Sequence, residues 1–288
     1  MILFLYVLES LSVPTSTFAQ STGTVVYSNL PAPVPGNIPS LGYQCCSVSE
    51  FGDRVHLEAD TPRRAGYANV LMSSWSKHSD YPTMSSAGYK HPITLAIYAN
   101  DADALAHSPL TTVTQMMDIP WRPEADPTCP GGTAWRATNG SCYNGMAFVL
   151  TFDLRAQNLT LPDEFVWGVA YNTNTWGYNP LGVPGPYESL NVGTTASAPS
   201  VGIDVNPDVA YVNYSHAPFY SDLGAGGTNT FRPDTGWTGF APSAEFTTFA
   251  IPATTSDCKN GAWQNLVRGD FTPFKNQGAC VSYVNTGK

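Results

Sequence analysis

The stretch "DVNPD" at 204–208 alternates oxygen-bearing side chains, Asp204, Asn206 and Asp208. Carboxylate and amide oxygens at such spacing suit a hard cation, calcium above all. The stretch lacks the glycine and distal glutamate of an EF-hand loop, and Pro207 equally fits a plain turn. A second candidate is "NTNTWGYNPLGVPGPYESLN" at 172–191, where Trp176 and Tyr178 sit among Asn174, Asn179, threonines and glycines. Aromatic rings on a polar loop can stack on the apolar faces of sugars while asparagine amides bond their hydroxyls. The competing reading is that Trp176 caps the open end of a β fold, where large aromatics fill gaps.

Other chemistry leaves no trace. There is no G-x-S-x-G, H-E-x-x-H, P-loop or dinucleotide fingerprint. The histidines at 56, 78, 91, 107 and 216 are scattered. Asp163, Glu164, Glu188 and Asp222 offer carboxylates without a local signature, so a polysaccharide hydrolase, which needs only two, stands as the alternative. The leading expectation is a non-enzyme with no cofactor beyond calcium.

Six cysteines, Cys45, Cys46, Cys129, Cys142, Cys258 and Cys280, allow many pairings. Cys129 and Cys142 flank a turn-rich hairpin loop, and Cys258 and Cys280 flank a segment with one Trp and two Phe. Disulfides 129–142 and 258–280 are therefore expected, each worth roughly 3 kcal/mol by loop closure. Adjacent Cys45 and Cys46 lie too close for an ordinary bridge. In a strand they would point to opposite faces, one buried and one exposed. Zinc is disfavoured, since no C-x-x-C is present and no His stands at ligand spacing from a Cys.

Composition sets the class. Only 12% of residues are charged, the net charge is −9, and glycine and proline number 25 and 24. A surface solvated by hydroxyls and amides suits an extracellular β-rich protein. The acidic balance disfavours nucleic acid, which demands clustered Lys and Arg. The start, "MILFLYVLESLSVPTSTFAQS", has the apolar run and small-residue end of a secretory signal, though no Lys or Arg precedes the run. No later run is long enough to span a membrane. Asn139, Asn158 and Asn213 begin N-x-Ser/Thr sequons.

These residues need elements to hold them, and the elements read as strands. Period-two alternation recurs at 55–57, 68–75, 93–98, 110–119, 147–154, 164–171, 209–214 and 244–251. It places Ile93, Leu95 and Ile97 on one face, Phe148, Leu150 and Phe152 on another, and Phe165, Trp167, Val169 and Tyr171 together. No stretch offers a sustained helical stripe with caps. The proline-rich 29–43 segment reads as an extended piece laid across a sheet edge. The predicted fold is all-β: an antiparallel β-sandwich, jelly-roll or Ig-like, with a small disulfide-closed C-terminal appendage. The expected parts are a signal-like segment 1–20, a sandwich domain 21–251, and a hinge and tail 252–288. Between 258 and 288, Lys259, Arg268, Lys275 and Lys288 stand against Asp270, a net +3, so the remainder carries −12.

The runs "VVYSNLPAPVPGNIPSLGYQ", "HPITLAIYAN", "DPTCPGGTAW" and "PDEFVWGVAYNT", with the tail "CKNGAW…FKNQGACVSYV", resemble a family of secreted bacterial β-rich proteins that has no assigned activity. The resemblance covers about 24 to 284 and implies secretion and a β-rich fold. It supplies no catalytic residues. The expected function is a secreted, non-catalytic extracellular or cell-surface protein that binds glycans. A filament subunit assembled by strand addition is a further alternative.

Overall fold

Each alternating stretch lies in or overlaps a strand of the computed structural model, which describes residues 23–174, 183–214 and 230–288. The strands in chain order are β1 (Thr24–Ser28), β2 (Ser40–Gly42), β3 (Val48–His56), β4 (Arg64–Ser74), β5 (Tyr89–Tyr98), β6 (Thr111–Ile119), β7 (Trp135–Arg136), β8 (Cys142–Tyr143), β9 (Met146–Asp153), β10 (Glu164–Tyr171), β11 (Leu190–Thr195), β12 (Ile203–Asp204), β13 (Val209–Tyr214), β14 (Phe231–Thr235), β15 (Ala241–Pro242) and β16 (Ala244–Phe249). The helices are α1 (Tyr43–Cys46), α2 (Asp101–Leu105) and α3 (Gln277–Thr286). The signal-like segment 1–20 falls outside the described residues.

One seven-stranded sheet runs β1-β16-β4-β11-β15, with β2 added on β11 and β9 on β4. A second runs β14-β13-β3-β10-β5-β6, with β12 on β3, and β7-β8 make a small ribbon. Their strand pairings are antiparallel. Alternation turns Phe152, Val70 and Phe246 of one sheet and Phe51, Leu95, Phe165 and Trp167 of the other into one apolar cluster. Phe246 meets Phe165 edge-on at 5.0 Å and Trp167 at 6.1 Å, which joins the two sheets through their side chains. Full burial of each such ring contributes about 1.5–3 kcal/mol. Pro233 lies in β14, an edge strand, where its missing N–H costs no ladder bond.

The outward residues of the second sheet are not all polar. Ala96, Tyr98, Val166, Tyr211 and Phe231 form a separate cluster with Ala104 of α2. Asn100 caps α2 by accepting from Asp103 N at 3.0 Å. The proline-rich segment lies along an edge as expected, ending in β2 on β11, with Ala147 N donating to Gly36 O at 3.1 Å.

Both expected disulfides are present, Cys129–Cys142 and Cys258–Cys280, with Cα separations of 5.9 and 5.7 Å. Two expectations need correction. Cys45 and Cys46 lie in the helical turn α1 rather than in a strand, with Cys45 exposed and Cys46 half-buried. The tail contains a capped helix, α3. Asn276 accepts from Ala279 N at 2.8 Å, and Gly287 closes the other end at φ 70°. Caps and the Cys280 crosslink hold α3, which explains why no apolar stripe announced it.

Candidate functional site

The loop that carries the sugar-contact candidates is rooted on a group of aromatic side chains. Trp176, Tyr178 and Asn179 lie outside the described residues, and Asn174 stands half-buried in a bend just after β10. At the loop's start, His91 Nε2 donates to Asn172 O at 3.0 Å. At its end, the single helical turn Pro186–Ser189 stacks Tyr187 on the same imidazole, centroids 4.4 Å apart and planes 7° apart. Tyr89 and Ser76 hydroxyls both donate to Pro186 O, at 3.4 and 2.7 Å. Behind His91, Tyr171 presents its edge at 6.1 Å and stacks on Tyr43 at 4.1 Å. A Cβ on Gly185 would meet the Tyr187 ring at 2.5 Å, so glycine alone permits that approach.

Next to Tyr187 is a second stack. Tyr81 lies nearly parallel to Trp121, with 13° between planes and centroids 5.8 Å apart. Trp121 leans on Tyr89 at 5.0 Å and donates its indole N–H to Ser85 O at 2.8 Å. Arg122 anchors this corner. Buried at 7% exposure, its guanidinium donates to Trp75 O, Pro123 O and Thr133 O at 3.1, 3.0 and 3.0 Å. Glu124 accepts from Ser79 N and Oγ, which fixes the turn before Tyr81. Tyr81, Trp121 and Tyr187 remain half-exposed, and Trp75 beside them is 41% exposed.

The electrostatics tie these rings together. Burial first, and then the Glu188 charge, raises the hydroxyl pKa of both Tyr81 and Tyr187. Glu188 Oε1 is enclosed and has no hydrogen-bond partner. The corner therefore combines flat rings held by stacking with two hydroxyls that feel the Glu188 charge. That set suits a neutral polyhydroxylated ligand with an apolar face. Tyr81, Trp121, Tyr187 and His91 were not singled out in the sequence. The signal existed in "SKHSDYPTMSSAGYKH" and "IPWRPEAD", where aromatics stand in Ser/Pro loops much as Trp176 does.

The calcium trio is divided. Asp208 turns to Thr238, accepting from its N at 3.2 Å and from its hydroxyl. Asp204 Oδ1 caps Asn206 N at 3.0 Å, an Asx turn that fits Pro207. Among the described residues no three His, Cys, Asp or Glu side chains gather where they could hold a metal. Among the described residues, His56, Asp60, Thr61, Arg63 and Asp163 line an open polar cleft. Its Asp163 is paired with Arg63 at 2.8 Å, and neighbouring Glu164 is bound by Arg54. Glu188 acts electrostatically on Tyr81 and Tyr187 instead, and Asp222 and His216 lie outside the described residues. Sequon Asn213 is buried in β13, and no helix among the described residues is long and apolar enough to cross a membrane. No family model, no curated protein and no solved structure matches this chain.

Proposed function

We propose that the chain is a secreted, non-catalytic β-sandwich protein of the extracellular space or cell surface that binds carbohydrate at its aromatic corner. In this reading the two antiparallel sheets are the halves of the sandwich, and residues 252–288 are an appendage to it. Two disulfides favour an oxidising compartment. The sequence resemblance to secreted bacterial β-rich proteins points the same way. The observation that carries the reading is Tyr81 resting on Trp121 beside Tyr187 and Glu188, at the root of the loop that bears Trp176 and Tyr178. Stacked rings are pre-oriented, so a sugar meets them at little further cost in side-chain entropy. The ion-paired carboxylates of the polar cleft give no comparable support to hydrolysis.

A glycan array with the purified chain tests this. Tyr81→Ala and Trp176→Ala should each weaken binding by about 1–3 kcal/mol, on the stacking scale measured for bases. In Tyr81→Ala, Tm should move by no more than about 3 °C, since its half-exposed ring contributes little to the core. Absence of any glycan ligand, or unchanged binding in Tyr81→Ala, would reject the site.

A further inference from the structure

A polar niche interrupts the core where β3 changes partner. β13 pairs with β3 as far as Gly52, and β12 takes over at Val55. Residues 205–208 bridge the gap, with Val205 N reaching Arg54 O at 3.4 Å. The alternation that buries Phe51 and Val55 carries Asp53 inward as well, opposite Trp167 and at 0% exposure. Asp53 Oδ1 accepts from Arg54 N at 2.8 Å, but Oδ2 is enclosed without a partner. Asp204 faces Val55 across the ladder, so it shares that inward face, one diagonal step from Asp53. Asn206 Oδ1 is also enclosed and unpartnered. So is the hydroxyl of Tyr27, a fully buried residue of β1. Burial chiefly, and then the charge of Asp204, raises the pKa of Asp53, and the two carboxylates act together on Tyr27. These groups therefore lie within electrostatic reach of one another.

A buried carboxylate oxygen without a partner is costly, and two carboxylates sharing a niche repel. A hard cation would relieve both. We propose that Asp53, Asp204 and Asn206 hold one calcium ion, with the Tyr27 hydroxyl beside it, pinning the 205–208 loop to β3. Calcium fits better than magnesium because it tolerates an irregular oxygen set completed by water, whereas magnesium demands a near-ideal octahedron. Two carboxylates and one amide make a weak site, with Kd on the order of 10⁻⁴–10⁻³ M, the range of extracellular modules. The site differs from the 204–206–208 reading of the sequence: Asp53 replaces Asp208, which Thr238 occupies.

The test uses the full chain, stripped with chelator, in calorimetric titration and thermal unfolding at neutral pH. One equivalent of calcium should bind, and about 10 mM calcium should raise Tm by roughly 3–8 °C, with magnesium giving less. Asp204→Asn, half-buried and so tolerant of change, should weaken calcium at least about tenfold. Asn206→Asp should tighten it, and Asp208→Asn should leave it unchanged. No calcium heat and no Tm shift would overturn the proposal, as would equal binding by Asp204→Asn. A pH dependence of Tm between about 8 and 5 that Asp204→Asn flattens, with no response to calcium, would also overturn it, showing that the two carboxyls share a proton instead.

Discussion

Glu50 is a buried acid on the outer face of β3, 3% exposed, with Tyr98 OH donating to its Oε1 at 2.9 Å. A Cβ on Gly168 would fall 2.4 Å from that oxygen, so β10 must carry a glycine where it passes the carboxyl. Burial raises the Glu50 pKa from 4.5 to about 8, against the opposing pull of the Tyr98 bond. Between about pH 4.5 and 8 the folded chain thus keeps a proton that the unfolded chain releases. Stability contributed by this group is full below that window and is lost as pH rises through it. Wild-type Tm should fall from pH 5 to 8. Glu50→Gln, which keeps an acceptor for Tyr98, should flatten the slope and stand higher at pH 8, leaving Asp53 and Asp204 to act in the same sense. A variant whose profile parallels the wild type would remove Glu50 from the account. At Cys45 the shift is opposite: the Cys46 thiol hydrogen-bonds to it and lowers its pKa to about 7. Exposed and partly ionised near neutrality, Cys45 should alkylate with a rate midpoint near pH 7. Cys46→Ala should move that midpoint upward, and an unmoved midpoint would mean that Cys46 has no part in it.

At the scale of elements, the aromatic corner depends on a loop with little regular structure. Residues 120–134 are fixed by Arg122, whose guanidinium holds three main-chain carbonyls, and by the Cys129–Cys142 bond. Lysine has no planar fork to span three acceptors. Arg122→Lys should therefore cost about 1–3 kcal/mol, because at least one of these carbonyls loses its charged donor. It should also weaken glycan binding without touching the ligand, since Trp121 is the adjacent residue. Chemical denaturation and the array measure the two effects; loss of neither would show that the loop holds its shape without Arg122. The strands were legible for a simple reason: the face each turns to the shared core is apolar, so residues such as Ile93, Leu95 and Ile97 repeat with period two. The corner was harder to read. Tyr81, Trp121, Tyr187 and His91 come from three separated stretches and converge only after β5 and β10 pair. Asp53 was illegible for another reason, since its burial contradicts its type and only the register of β3 reveals it.

For the molecule as a whole, the question is what keeps the C-terminal residues in place. Cys258, Phe274 and Cys280 form a small cluster of their own, with Trp263 and Tyr283 packed around it. A cluster of that size cannot stabilise thirty residues unaided. Its support is local. Arg64 Nη2 donates to Gly269 O at 2.9 Å, and its guanidinium sits 4.7 Å over the Phe271 ring. Phe271 meets Phe249 edge-on at 5.4 Å, and Val267 N donates to Ala250 O at 3.0 Å. Net charges of +3 and −12 would also attract, but exposed charges beyond about 8–10 Å are screened at physiological salt. A cation–π contact and an aromatic pair contribute about 0.5–1.5 kcal/mol each and do not fade with salt to the same degree. The contact at Phe271 should therefore dominate. Phe271→Ala should speed proteolytic nicking of the 252–257 segment several-fold, while the Cys258–Cys280 bond persists and the two sheets keep most of their Tm. Raising salt to about 0.5 M should change the wild-type nicking rate little. A wild-type rate that climbs steeply with salt, with Phe271→Ala nearly silent, would show instead that the opposite net charges hold the tail.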